Sequence, residues 1–444
     1  MSTAPQSHAE TIRRRAHEII PGGCHTYAKG DDQFPEIAPP FIVRGSGCHS
    51  WDLEGREYIE FGMGLRAVTL GHAFTPVVEA VTRQLANGVN FTRPAPIEVE
   101  CAEQLLELVT TAEMVKFCKD GSHAVDGALR LARAHTGRDM VAICGDHPFF
   151  STSDWFIGTT DMNAGIPEAT RRQVVKFSYG DIASLENLFA AHPGQIAAVM
   201  MEAARIDEPQ PGYLEQVKAT AHAHGALLIF DEMITGFRWH LRGAQHLYGV
   251  TPDLSTFGKA LANGFSVSAL AGRRDVMELG GSRHQRERVF LLSTTHGAET
   301  HQLAAAIATM RFYRDNPVIE TLHARGARLR AGFERAIAEH GLGDYVGVVS
   351  RDCNLLFGTR DTDKRPSQLF RTLFMQEMVR RGVIAPSFVV SYSHSEQDID
   401  RTVDAAHEAL RIYRLALDGG AERFLQGAPV KPVFRRYAQP YSGG

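Results

Sequence analysis

At 444 residues and 44% hydrophobic, the chain has ample material for a buried core and the length of two or three domains. A net charge of -4, with no basic run longer than Arg13-Arg14-Arg15, argues against a nucleic-acid partner, and no apolar run is long enough to span a membrane. Six scattered cysteines without a CxxC pair argue against a zinc site or disulfide framework, and a polar 1–15 segment against secretion, so a reducing, cytoplasmic setting is expected.

Apolar residues at helical spacing predict a helix over 8–20, ended by the breaker Pro21-Gly22-Gly23. The stretch 24–40 is rich in Pro, Asp and Gly and reads as a covering loop. Residues 41–61 read as short antiparallel strands with a turn at 52–55, and two amphipathic helices follow at 76–86 and 97–110. From 114 onward strand and helix alternate, the pattern of a doubly wound sheet. The expected strands are 114–118, 140–144, 197–201, 226–230 and 266–271, and the expected helices 123–135, 182–191 and 213–224. Helical patterns at 299–313 and 318–340 come next, the second read as broken or joined to a domain boundary near 315–317. Strand-like runs then alternate with helices at 367–381 and 396–416. The expectation is an α/β fold: a large domain over 76–315, and a smaller α+β domain assembled from 1–75 and 316–444.

The chemistry gathers at 226–238 and 259. Ala226 to Phe230 run apolar without alternation, as in a strand covered on both faces, and end on Asp231-Glu232, where open α/β sheets bind ligands. A carboxylate ending such a strand is poorly solvated and needs a cationic partner or a strong donor. Lys259 follows after another short strand-like segment and precedes the breaker Asn263-Gly264. Only eight of the 47 basic residues are lysines, and arginine forms no Schiff base because it stays protonated. A strand-end carboxylate and a loop lysine suit pyridoxal phosphate (PLP), which needs an acidic partner for its ring nitrogen and an amine for its aldehyde.

Lys119-Asp-Gly-Ser-His123 lies between a strand and a helix. Gly121 permits a tight turn, Ser122 is a suitable N-cap, and the helix start attracts anions; ordinary capping explains the same residues. Phe149 and Phe150 follow a strand end and could stack on a ring or sit in the core. Residues 292–299 form a polar run whose Thr hydroxyls could reach a phosphate. His222 and His224 lack a third ligand, and no metal site is expected.

Taken together, these pieces resemble the class III (ω-type) aminotransferases of PLP fold-type I, over about 13–411. The carrying motifs are Phe230-Asp-Glu-Met-Ile-Thr-Gly-Phe-Arg238, Gly258-Lys259 and Thr251-Pro-Asp-Leu254. The resemblance implies Lys259 as Schiff-base anchor and general base, Asp231 on the pyridine nitrogen and Met233 on one ring face. It further implies Gly121 and Ser122 on the phosphate, Glu202 near the 3-hydroxyl, and Thr295 reaching in from a second subunit of a homodimer. Phe149-Phe150 stands where the family places its stacking aromatic.

Within the class, Pro21-Gly-Gly23, 130–137 and Thr235-Gly-Phe-Arg238 resemble glutamate-1-semialdehyde aminomutase. Two segments depart from that branch. After Gly23, Cys24-His-Thr-Tyr-Ala-Lys-Gly-Asp-Asp-Gln-Phe-Pro35 replaces a run carrying a carboxylate-binding Arg, and 293–300 replaces a shorter Gly/Ser/Asn run. Both variants look like the sugar aminotransferases of aminoglycoside pathways. The implied reaction moves an amine from an amino acid donor, L-glutamate foremost, to a carbonyl of an amino sugar. Tyr27, Lys29, Asp31, Asp32 and His296 are the expected substrate contacts. The aminomutase itself, or a PLP epimerase acting on an aminated sugar carbon, remains an alternative.

Overall fold

The computed structural model describes residues 8–146, 151–204 and 206–437. The chain divides into two compact units, a larger one of Arg66–Thr69 and Thr75–Ile319, and a smaller one of Met1–Leu65, Leu70–Phe74 and Glu320–Gly444.

The larger unit is built on a seven-stranded sheet: β1 Met114–Cys118, β2 Met140–Cys144, β3 Val174–Phe177, β4 Ile196–Met201, β5 Leu227–Asp231, β6 Leu254–Phe257 and β7 Ser268–Gly272. Their order across the sheet is β3-β2-β4-β5-β6-β7-β1. All neighbours pair in parallel except β7, which runs antiparallel to both β6 and β1.

The two faces separate by strict alternation. Val141, Ile143, Ala198, Met200, Leu227 and Ile229 pack on one side with the helix Gly121–Thr136. Ala142, Cys144, Val199, Met201, Leu228 and Phe230 pack on the other, with Ile182–Ala191 and Tyr213–Ala223. Burial on both faces is why these strands are uniformly apolar.

Two strands were not marked out by apolar runs. β3 is an edge strand carrying the exposed Lys176, and β6 has Ser255 and Thr256 at its centre, buried and polar. The helix after β1 also starts differently from expectation. Asp120, not Ser122, is its N-cap, accepting the His123 N–H at 3.0 Å. The helix therefore begins at Gly121, and the amides of Gly121 and Ser122 lie in its first turn, where no intrahelical acceptor exists for them. It ends at Gly137, whose φ of 68° suits a residue without Cβ.

In the smaller unit, Ile42–Ser46, His49–Asp52 and Glu57–Glu60 form an antiparallel sheet with Val383–Ile384 added in parallel. Val346–Val349, Asn354–Thr359 and Phe388–Val389 form a second. Its core is aromatic: the ring of Phe388 lies 5.4 Å from Phe333, 5.6 Å from Phe357 and 5.6 Å from Phe61. The segment read as broken or joined to a domain boundary near 315–317 is one continuous helix, Val318–Glu339, and the division between the two units falls after Ile319.

Cys48, His49 and Asp398 meet within the smaller unit and contact one another. The Cys48 thiol lies 3.4 Å from Asp398 Oδ2, His49 Nε2 lies 3.2 Å from Oδ1, and Oδ2 also caps Ser395.

Beside them, His394 is fully buried against Phe61, and its Nδ1 accepts the Ser391 N–H at 2.9 Å, which places its proton on Nε2. Burial holds this imidazole neutral, lowering its pKa to about 4 despite the pull of Asp398. The folded value lies below the unfolded one. The stabilisation is therefore present above about pH 6.5 and is lost as pH falls through about 4, on the order of 3 kcal/mol in all. Urea unfolding of the cofactor-free chain between pH 7 and 4 should show this loss. His394→Gln should be less stable at pH 7 and should flatten the dependence; an unchanged slope would assign the loss to other groups.

Candidate active site

Three adjacent parallel strands deliver three polar residues at their carboxyl ends: Glu202 after β4, Asp231 as the last residue of β5, and Lys259 just after β6. Glu202 and Asp231 are buried. Lys259 opens a short 3-10 turn with φ of 47°, left-handed backbone that a non-glycine residue adopts only under local strain.

The charges answer one another. Burial lowers the Lys259 pKa; Asp231 and Glu202 oppose this shift, whereas Arg66 and Arg238 add to it. Burial likewise raises the Asp231 carboxyl, to about 6, against the opposing effects of Lys259, the Met233 N–H at 2.9 Å and the Thr256 hydroxyl at 3.1 Å. A lysine and a carboxylate that both lean toward neutrality form a site poised for proton traffic.

These residues fit PLP. Both hydrogen bonds to Asp231 fall on Oδ1, which leaves Oδ2 an acceptor for a cationic ring N–H. A cavity of about 280 Å³ is lined by Lys119, Gly121, Ser122, Thr152, Met233, Lys259 and Ser268. At its edge the start of the Gly121–Thr136 helix offers backbone N–H groups to an anion.

Gly121 and Gly258 keep room for Met233. A Cβ at Gly121 would lie 3.1 Å from the Met233 sulfur, and one at Gly258 would lie 2.7 Å from that sulfur and 2.5 Å from Ser268 Oγ. Gly258→Ala should therefore displace Met233, cost about 1–3 kcal/mol in stability and weaken PLP at least about tenfold, as a cofactor titration would read.

The other expected residues divide. Thr295 and His296 are exposed on a loop of the larger unit. The Thr295 carbonyl accepts from Asn90 Nδ2 at 3.0 Å, and His296 Nδ1 lies 3.0 Å from Glu299, which also receives the Lys119 ammonium. Lys29 and Asp31 line a separate cavity of about 800 Å³ within the smaller unit, with Arg13, His17 and Phe34. Tyr27, adjacent to them in the chain, is exposed.

Asp31 and Asp32, expected as substrate contacts, already carry ion-pair partners. Asp31 is held by Arg13 at 2.7 Å and His17 at 2.9 Å, and Asp32 by Arg435 at 2.5 Å. Phe149 and Phe150 lie outside the described residues.

Three residues of the site carried no expected role. Thr256 is hidden in a short polar strand. Arg238 is wholly buried, its Nη2 donating to the Arg66 carbonyl at 2.5 Å and to Thr69 Oγ1 at 2.7 Å. Glu232 turns away from Asp231 to hold the Ala244 and Gln245 N–H groups, each at 2.8 Å, and the Thr235 hydroxyl. The motif 230–238 contained Arg238 and Glu232, but only the chain path shows that Glu232 holds 235–245 while Arg238 holds 66–69.

The strand order and the half-buried lysine beside a strand-end carboxylate define a PLP-dependent enzyme of fold-type I. Residues 27–404 match the family model of class III aminotransferases. The chain is 35% identical to the glutamate-1-semialdehyde 2,1-aminomutase of Roseiflexus castenholzii, over 93% of this chain and 99% of that one. It is 30% identical to the 3-aminobutyryl-CoA aminotransferase of Cloacimonas acidaminovorans, over 90% and 96%. Among solved structures, the PLP-containing FumI protein of Sphingopyxis sp. MTA144 superposes with a TM-score of 0.85 at 29% identity, covering 95% of this chain and 98% of that one. The chain belongs to the class III aminotransferase family. No helix among the described residues is long and apolar enough to cross a membrane.

Proposed function

We propose that the protein is an aminotransferase that moves an amine from an amino acid, L-glutamate foremost, to a carbonyl of an amino-sugar intermediate of the aminoglycoside type. The observation that carries amine transfer is the half-buried, neutral-leaning Lys259 beside Asp231 at the carboxyl ends of adjacent strands. The acceptor class rests on segment 24–35, which has hydroxyl, amide and lysine side chains where the aminomutase pattern carries an Arg. With Asp31 and Asp32 paired internally, Lys29 and Tyr27 are the contacts retained for this reading.

When bound, PLP supplies a carrier for the amine and an electron sink for the electrons of the reacting carbon. Asp231 Oδ2 would accept the ring N–H and keep it protonated. Gly121 and Ser122 would hold the phosphate, Met233 would support one ring face, and Glu202 would face the 3-hydroxyl. Lys259 Nζ, its pKa lowered by burial, would take a proton from the amine-bearing carbon and return it as a general base and acid. In the homodimer we propose, the exposed Thr295 would reach the phosphate of the neighbouring subunit.

A second reading, glutamate-1-semialdehyde 2,1-aminomutase, is favoured by the name of the Roseiflexus relative. One assay separates the two. With L-glutamate and a panel of oxidised aminoglycosides, intermolecular transfer releases 2-oxoglutarate and an aminated sugar. Conversion of glutamate-1-semialdehyde to its 2,1-shifted isomer without a free keto product would instead establish the mutase. Solvent deuterium entering an aminated sugar with neither product would establish the epimerase.

A further inference from the structure

Segment 151–155 is fastened to the first two turns of the Gly121–Thr136 helix by a set of hydrogen bonds that the family motifs do not explain. Asp126, six positions into the helix counting the cap Asp120 as zero, receives the Ser151 hydroxyl at 3.2 Å and the Trp155 indole N–H at 2.7 Å on Oδ1. The Ser153 hydroxyl donates to its Oδ2. Ser151 and Trp155 are buried. Between them, Thr152 turns its backbone N–H onto Ser122 Oγ at 3.0 Å and brings its own hydroxyl to 3.1 Å from the same oxygen. Thr152 and Ser122 both line the cavity that holds Lys259.

The consequence concerns the direction of one hydroxyl. Serine Oγ has two acceptor lone pairs and one proton, and a backbone N–H can only donate. With the Thr152 N–H on one lone pair and the Thr152 O–H on the other, the only capacity left to Ser122 is its proton. A phosphate group is rich in acceptor oxygens, and hydrogen bonds to charged partners are the strong ones.

We propose that Thr152 and Asp126 are positioning residues that commit Ser122 to donating toward an anionic oxygen, and so give the cavity its preference for a phosphorylated ring over an unphosphorylated one. Asp126 fixes the segment, and Thr152 saturates Ser122. The inference rests on the proposed role of Gly121 and Ser122 in holding the cofactor's phosphate.

The test compares the dissociation constants of PLP and unphosphorylated pyridoxal for the wild-type protein and for Thr152→Val, Thr152→Ser and Ser122→Ala, with Trp fluorescence of Asp126→Ala as a further readout. Thr152→Val keeps the shape and loses the hydroxyl. It should weaken PLP about tenfold while leaving pyridoxal unchanged, and Thr152→Ser should restore the wild-type ratio. Asp126→Ala should weaken PLP selectively as well, and should shift Trp emission as the Trp155 indole loses its acceptor.

If Ser122→Ala lowers the PLP-to-pyridoxal preference and Thr152→Val does not, the positioning role is wrong and the phosphate cradle stands. If Thr152→Val weakens both ligands equally, Thr152 acts only on the local structure and the proposal fails. If Ser122→Ala leaves the preference intact, the cradle itself is wrongly placed, and this inference falls with it.

Discussion

Lys259→Ala is expected to lose at least about 10⁴-fold in turnover, since it removes both the amine that captures the cofactor and the base that moves the proton. The visible absorbance of covalently held PLP should disappear with it. The fold should survive. Lys259 is a half-buried lysine whose charge desolvation already disfavours, so alanine removes a desolvation cost and leaves a space beside Asp231 and Glu202. Thermal unfolding of the cofactor-free variant should match or exceed that of the parent. Persistent turnover in a folded Lys259→Ala protein would mean that another amine serves the chemistry.

Asp231→Asn is the second large effect, and it separates chemistry from folding. An asparagine Oδ1 can still accept the Met233 N–H and the Thr256 hydroxyl, so the end of β5 should hold its shape. The other atom becomes an NH₂ donor facing a ring nitrogen that requires an acceptor. Turnover should fall about 10²- to 10⁴-fold, the range of lost proton-transfer assistance, with PLP still bound.

The cofactor-free forms give an independent check. Burial raises the Asp231 pKa to about 6, above its unfolded value. Its protonation therefore favours folding below about pH 4, and that contribution is lost as pH rises through about 6. Asparagine has no such dependence, so the stability of Asp231→Asn relative to the parent should grow between pH 4 and 8. A constant difference would show that Asp231 is already ionised at low pH, and that Lys259 dominates the pair.

How far the sequence disclosed this site depends on how locally each feature is specified. β2, β4 and β5 were legible because both faces of a central parallel strand are covered, which leaves uninterrupted apolar runs such as 226–230. β6 was only partly legible because Ser255 and Thr256 break the run; Thr256 is polar there because Asp231 needs its hydroxyl. Lys259 and Asp231 stood out because lysines are few and because a carboxylate closes an apolar strand.

The helix start was misread by two residues, since Asp120 and Ser122 are both good caps and only the backbone path chooses between them. Asp31 and Asp32 looked free because their partners, Arg13, His17 and Arg435, are distant in the chain. The Asp126 cluster was invisible for the same reason: nothing in 121–136 announces that three donors from 151–155 converge on it. Periodicity and motif order report on contacts along one element. Polar pairings between elements emerge only once the elements are placed.

The most direct test of this account is chemical trapping of the cofactor. The PLP-loaded protein is reduced with borohydride, digested, and each lysine-containing peptide is weighed for the added phosphopyridoxyl group. Of the eight lysines only Lys259 should carry it, stoichiometrically, and Lys259→Ala should carry none. Modification of Lys119 or any other lysine in place of Lys259, or none at full cofactor loading, would contradict it.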